Sequence, residues 1–195
     1  METTRLEAFS DGVFAIIITI MVLELKVPHS PDLGALRPLL PTFLTYVLSF
    51  VYVGIYWNNH HHLLRVCHRI DSGIMWANLH LLFWLSLFPF VTGWMGENHF
   101  QPLPSALYGA VLFQAAIAYY ILQRLIVAAH GPDSRLAQAI GSDWKGKLSL
   151  LLYPAAIGIS FLWSWIAGCI YLTVALTWLI PDRRLSRVAM ARNAD

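Results

Sequence analysis

The stretch RLEAFSDGVFAIIITIMVLE, residues 5–24, sets the fold class. From Gly12 to Leu23 it carries no charge and no proline, so nothing interrupts a helix or needs water. At about 1.5 Å per residue a run of some twenty residues crosses the ~30 Å hydrocarbon layer of a bilayer. Thr4 followed by Glu7 forms a capping box, in which each side chain satisfies an orphan backbone donor at the helix start. The first span is therefore expected over 5–26, stopping before Pro28.

Outward from this segment the chain repeats the pattern. Five more apolar stretches follow, at about 38–64, 71–96, 103–127, 147–165 and 167–181; only Ser164 and Gly168 part the last two, so a tight helical hairpin is expected there, or in the alternative one bent span. The spacing predicts an all-α, polytopic membrane protein of six transmembrane helices, a single domain over 1–195. Composition agrees: the chain is 57% hydrophobic and 12% charged, with mean hydropathy +0.58. Ordinary soluble domains carry about 25% charge, which their water-facing surface requires. The loop from His29 to Pro41 adds Pro31, Pro38 and Gly34. A polar connector from His130 to Lys145 leaves room for a short surface helix. The amino terminus lacks a basic region followed by a short apolar stretch and a small-residue cleavage site, so the first apolar run is expected to stay in the mature protein.

Orientation follows from the basic residues, which resist translocation. Arg5, Arg65, Arg69, Arg124, Arg135, Lys145, Lys147, Arg183, Arg184, Arg187 and Arg192 fall on one side, against Lys26 and Arg37 on the other. Both termini are thus expected in the cytoplasm, which demands an even number of spans. A net charge of +2 without a basic stripe between stacking aromatics argues against nucleic acid. Cys67 and Cys169 lie far apart inside expected helices and suggest neither a disulfide nor a thiolate metal site.

Polar residues inside the spans gather at one depth. Ser10 and Asp11 sit about 10 Å into the first helix, and Trp57, Asn58, Asn59, His60, His61 and His62 lie within two turns of Arg65. Asn78 and His80 lie two turns after Asp71, at the start of the third span. Arg5, Ser10, Asp11, Trp57, His60 and Asn78 are expected to form an interhelical network locking the first helix to the next two. Such residues serve as interhelical glue or contact a permeating ion, and spacing alone does not choose between them. Ile16, Ile20 and Leu23 form one stripe beside Thr19, which suits lipid contact, core packing or a pore.

Other chemistries fit less well. His60 or His61 with His80 is a candidate haem pair, but three adjacent histidines cannot share one iron. Neither an HExxH nor a GxSxG motif occurs, which argues against an enzyme. A secondary transporter or a proton-conducting membrane protein is the alternative function. Transporters typically show inverted repeats and helices broken near the midplane, and the first helix has neither Gly nor Pro between Ala15 and Leu25.

The run Arg5-x-x-x-Phe9-Ser10-Asp11 resembles the R-x-x-x-F-S-D signature of the endosomal/lysosomal potassium channel family, transmembrane protein 175 type. The likeness extends to Trp57-x-x-His60, to Asp71 and Asn78-Leu79, and to Pro89, covering about the first half of the chain. It implies a potassium-selective cation channel of the cell membrane, a homotetramer whose first helices line the central pore. No cofactor or metal is implied beyond permeant K⁺ and other monovalent cations. Members similar to this chain have no TVGYG carbonyl filter, and no such run exists here. By position, Ile16 stands at the family's hydrophobic constriction, with Thr19, Ile20 and Leu23 outward of it. Arg5, Phe9, Ser10, Asp11, Trp57, His60 and Asn78 become the network that holds the pore helix. His61 and His62 depart from the family pattern, and in a cytoplasmic vestibule their protonation near neutral pH would tune conduction.

Overall fold

Helices dominate because the apolar stretches must satisfy every backbone group internally once water is excluded. The computed structural model describes residues 3–65, 67, 70–130 and 144–179. Helix α1 runs Thr3–Leu23, a 3-10 segment Leu33–Leu39 leads into α2 at Leu40–Arg65, α3 is Ser72–Ser86, and α4 is Phe88–Glu97. Helices α5 at Pro102–His130, α6 at Trp144–Ser160 and α7 at Ser164–Leu179 complete the order. No strand occurs among the described residues. Four stretches, Thr3–Leu23, Leu33–Arg65, Ser72–Glu97 and Pro102–Ala129, are long and apolar enough to cross a membrane. The connector expected to hold a surface helix, the arginines of the tail and the end of the sixth expected span lie outside the described residues.

Helices α3 and α4 form one bent unit. Pro89 stands in the first turn of α4 and has no N–H to return to the preceding turn, so the ladder breaks at Leu87. Asp71 starts α3 by accepting a hydrogen bond from the Ile74 N–H at 2.8 Å. Helix α1 begins at Thr3, so Thr4 lies inside its first turn and not at the expected cap. The long loop after α1 is also more ordered than its prolines suggest, since Leu33–Leu39 is helical with Pro38 inside it.

The last hairpin turns earlier than expected. It reverses at Phe161, Leu162 and Trp163, whose N–H groups bond to the Gly158 and Ile159 carbonyls. Ser164 then opens α7, and Gly168 sits within that helix. Because the turn satisfies its own donors, it needs no glycine.

The core is continuous through the bundle. Leu64, Ile74, Leu81, Leu85, Phe88, Leu112 and Leu122 are among its buried members. Two close approaches set helix spacing. A Cβ on Gly96 would come within 2.6 Å of the Thr42 backbone, which brings α4 against α2. A Cβ on Gly109 would collide with the Tyr171 hydroxyl, so only glycine lets Tyr171 lie across α5. That hydroxyl donates to the Ser105 carbonyl at 3.1 Å, and Tyr52 donates to the Tyr171 carbonyl at 2.6 Å.

Candidate pore helix and its anchoring network

Helix α1 carries two apolar stripes with different fates. Leu6, Ser10, Phe14, Ile17 and Met21 are buried against the bundle, at steps of three or four residues. Phe9, Gly12, Ile16, Thr19 and Leu23 follow each other at alternating steps of three and four on another face, and all are exposed. Ile17 is 2% exposed, while its neighbour Ile16 is 58% and Leu23 is 79%. A seam repeating every seven residues is how helices pack around a shared axis.

The buried stripe is held by a directed chain of hydrogen bonds. His60 Nε2 lies 2.6 Å from Asn78 Oδ1, and because a carboxamide oxygen only accepts, the imidazole donates. Asn78 Nδ2 donates to Ser10 Oγ at 3.0 Å, and Ser10 Oγ donates to the Leu6 carbonyl at 2.8 Å. The chain links α2, α3 and α1 and ends on a backbone oxygen, with Ser10 and Asn78 fully buried and His60 nearly so. Phe14 packs its ring against His60 at 5.6 Å between centroids. Beside the chain, Trp57 Nε1 donates to Asp11 Oδ1 at 2.9 Å. The Thr3 hydroxyl adds a bond to the Cys67 carbonyl at 3.3 Å.

Five of the seven expected network residues, Ser10, Asp11, Trp57, His60 and Asn78, thus meet in side-chain hydrogen bonds. Arg5 and Phe9 lie on the exposed side of α1 instead. Of the expected stripe, Ile16, Thr19, Ile20 and Leu23 are all exposed, and the Thr19 hydroxyl turns back to the Ile16 carbonyl at 2.8 Å. Gly12 and Phe9 extend that face inward, and their membership was readable from the sevenfold steps Phe9, Ile16, Leu23 and Arg5, Gly12, Thr19. Phe14 and Leu6 are the contributors that residue type alone does not single out.

The other histidines are placed differently. His61 stacks on Trp57 at 6.1 Å and meets His62 edge-on at 5.8 Å. His80 is exposed and its Nε2 accepts from Trp84 Nε1 at 2.9 Å. The Nε2 atoms of His60 and His80 are thus both engaged in hydrogen bonds. At the other end of α1, Lys26 on the following loop pairs with Glu97 at the end of α4. Hydrogen bonding to Glu97 raises the Lys26 amine above its ordinary 10.5.

Residues 5–89, which hold the whole network, match the family described as endosomal/lysosomal potassium channel TMEM175. A potassium channel of Chryseobacterium sp. (strain P1-3) is 54% identical over 187 residues, covering 96% of this chain and 97% of that protein. A potassium channel of Streptomyces collinus is 33% identical over 171 residues, covering 82% of this chain and 83% of that one. The crystal structure of a lysosomal potassium-selective channel TMEM175 homolog from Chamaesiphon minutus superposes with TM-score 0.82 at 29% identity, over 93% of this chain and 98% of that chain. With near full-length relatives well above 30% identity, the chain belongs to the TMEM175 family of ion channels.

Proposed function

We propose that this chain is the subunit of a potassium-selective channel in the cell membrane, assembled as a homotetramer with α1 of each copy lining the axis. The observation that carries this is the seam of α1, whose large apolar side chains Phe9, Ile16 and Leu23 are more than half exposed on the subunit. Four copies of Ile16 around an axis make the narrowest ring. An ion must shed water there without replacement ligands, so the ring gates by dewetting. Thr19, Ile20 and Leu23 continue the wall outward. No carbonyl filter is required for selectivity in this account, and the chain uses no cofactor.

The network on the opposite stripe positions the pore helix without touching the ions. Ser10, Asp11, Trp57, His60 and Asn78 hold α1 against α2 and α3, so opening is a rotation or splaying that these bonds limit. The whole chain acts as one six-helix transmembrane domain, with both termini in the cytoplasm as the basic residues argue. The test is potassium, sodium and caesium flux in proteoliposomes, repeated after Ile16→Asn. The wild type passes potassium best, and the polar ring gives larger, less selective flux. Absence of cation flux, or flux unaltered by the substitution, overturns the proposal.

A further inference from the structure

An apolar patch stands apart from α1, at the turn between α6 and α7. Phe161, Leu162, Trp163 and Trp165 are each more than half exposed there. From Leu148 to Pro181 the sequence holds no charged residue. The other connections at this end of the bundle differ. The one after α1 holds Lys26, Asp32 and Arg37, and the one between α4 and α5 holds Asn98, His99 and Gln101. Tyr171, two turns into α7, reaches the Ser105 carbonyl in the first turn of α5, which places the α6–α7 turn near the level of those polar connections.

A turn that faces water needs groups that water can solvate, and this one offers few. Its backbone donors are already used, because the Phe161 N–H bonds to the Gly158 carbonyl and the Leu162 and Trp163 N–H groups bond to the Ile159 carbonyl. The two helices are also short. Helix α6 has 17 residues and α7 has 16, about 25 Å each, against the ~30 Å of a hydrocarbon layer. A hairpin of that length that starts at one membrane surface leaves its tip inside the opposite leaflet.

We infer that this turn is an interfacial anchor that stays in the bilayer, with Phe161 and Leu162 among the acyl chains and the Trp163 and Trp165 indoles at the level of the lipid ester carbonyls. Neither indole N–H has a hydrogen-bond partner among the described residues, so each has a donor to offer a lipid carbonyl while the ring body lies against the chains. A second copy of the chain fits this patch less well than lipid does. The face assigned to subunit contact is the seam of α1, whereas the hairpin packs on α5 and α2. The anchor also sets a height, because Tyr171 below the tip lies across Gly109 and its carbonyl accepts from Tyr52. It holds whether or not the chain conducts potassium.

The test places an environment-sensitive nitrobenzoxadiazole label at the tip of the full chain. Leu162→Cys, made with Cys67→Ala and Cys169→Ala, keeps the aromatic residues, and Ser30→Cys in the same background labels the charged connection after α1. Each is studied in phosphatidylcholine nanodiscs that carry no bromine, bromine high on the acyl chains, or bromine near the chain ends. The label at position 162 emits at shorter wavelength than the label at position 30. It loses most of its emission to the shallow bromines and less to the deep ones, and neither lipid changes the label at position 30. Trp165→Cys, labelled in the same background, repeats the pattern at a second site in case one labelled variant folds poorly. Emission at the tip that matches position 30 and ignores both bromolipids overturns the anchor, as it places the turn in water. A blue-shifted label that bromine does not quench also overturns it, as protein then covers the patch. Stronger quenching by the deep bromines overturns the interfacial depth.

Discussion

The helices around α1 and those around α5, α6 and α7 bury polar groups with different emphasis. Around α1 the bonds run from side chain to side chain, His60 to Asn78 to Ser10 and Trp57 to Asp11, across three helices. Among α5, α6 and α7 the tyrosines Tyr108, Tyr153 and Tyr171 are buried; Tyr52 of α2 and Tyr171 donate to backbone carbonyls, while Tyr108 pairs with Ser49 Oγ and Trp178 donates to Ser149 Oγ. Bonds to backbone, with Gly109 in contact beneath Tyr171, fix helix spacing along a broad surface. Side-chain bonds at one depth fix only the rotation and height of α1. The second half is thus built as a scaffold, and the first half as a hinge-like mount for the helix it carries.

The comparison breaks or sharpens under substitution. The largest effect on stability is expected at Gly109→Leu, where overpacking against Tyr171 costs about 3 kcal/mol. Its midpoint in thermal denaturation falls well below the wild type, while the surviving channels keep normal ion selectivity. Altered selectivity in those survivors would contradict the scaffold role. Next comes Asn78→Leu, which strands the His60 N–H and removes the donor to Ser10, at about 2 kcal/mol. Here flux per folded channel should change as well, and unchanged flux at reduced stability would make the network ordinary packing. Trp57→Phe removes the indole donor to Asp11 at the edge of the network and should cost only about 0.5 kcal/mol. A loss as large as that of Asn78→Leu in the same thermal assay would mean that the Asp11 bond, not the buried chain, is the main tie.

The smallest effect belongs to the exposed Lys26–Glu97 pair. Glu97 raises the Lys26 amine, so on the lysine side the contribution is whole below pH 10.5 and is lost as pH climbs through the raised value. Flux of Lys26→Met should therefore run parallel to the wild type between pH 7 and 9. A divergence that opens within that range would show the Lys26–Glu97 tie to be part of gating.

Much of the first half was legible in the sequence. The spans follow from apolar length, and the shared depth of Ser10, His60 and Asn78 follows from counting residues along antiparallel helices. What spacing left open was which stripe of α1 faces the bundle, since Ile16 and Ile17 are identical neighbours. Ser10 is the discriminating residue, because a hydroxyl buried in a membrane protein points to protein and its register includes Phe14, Ile17 and Met21. Phe9 shares a motif with Ser10 but not a face. The second half was opaque for another reason. Tyr52 and Tyr171 are 119 residues apart, and no periodicity in either helix encodes that they meet. The turn at Phe161–Trp163 was hidden because it satisfies its donors without the usual turn residues.

The central claim is that the exposed stripe of α1 lines the ion path while the buried stripe anchors the helix. Ile16→Cys and Ile17→Cys, each made with Cys67→Ala and Cys169→Ala, separate the two faces by one residue. Potassium flux in proteoliposomes is measured before and after a cationic methanethiosulfonate reagent. The account predicts block at position 16 and none at position 17, whereas equal reaction at both, or block only at 17, would contradict it.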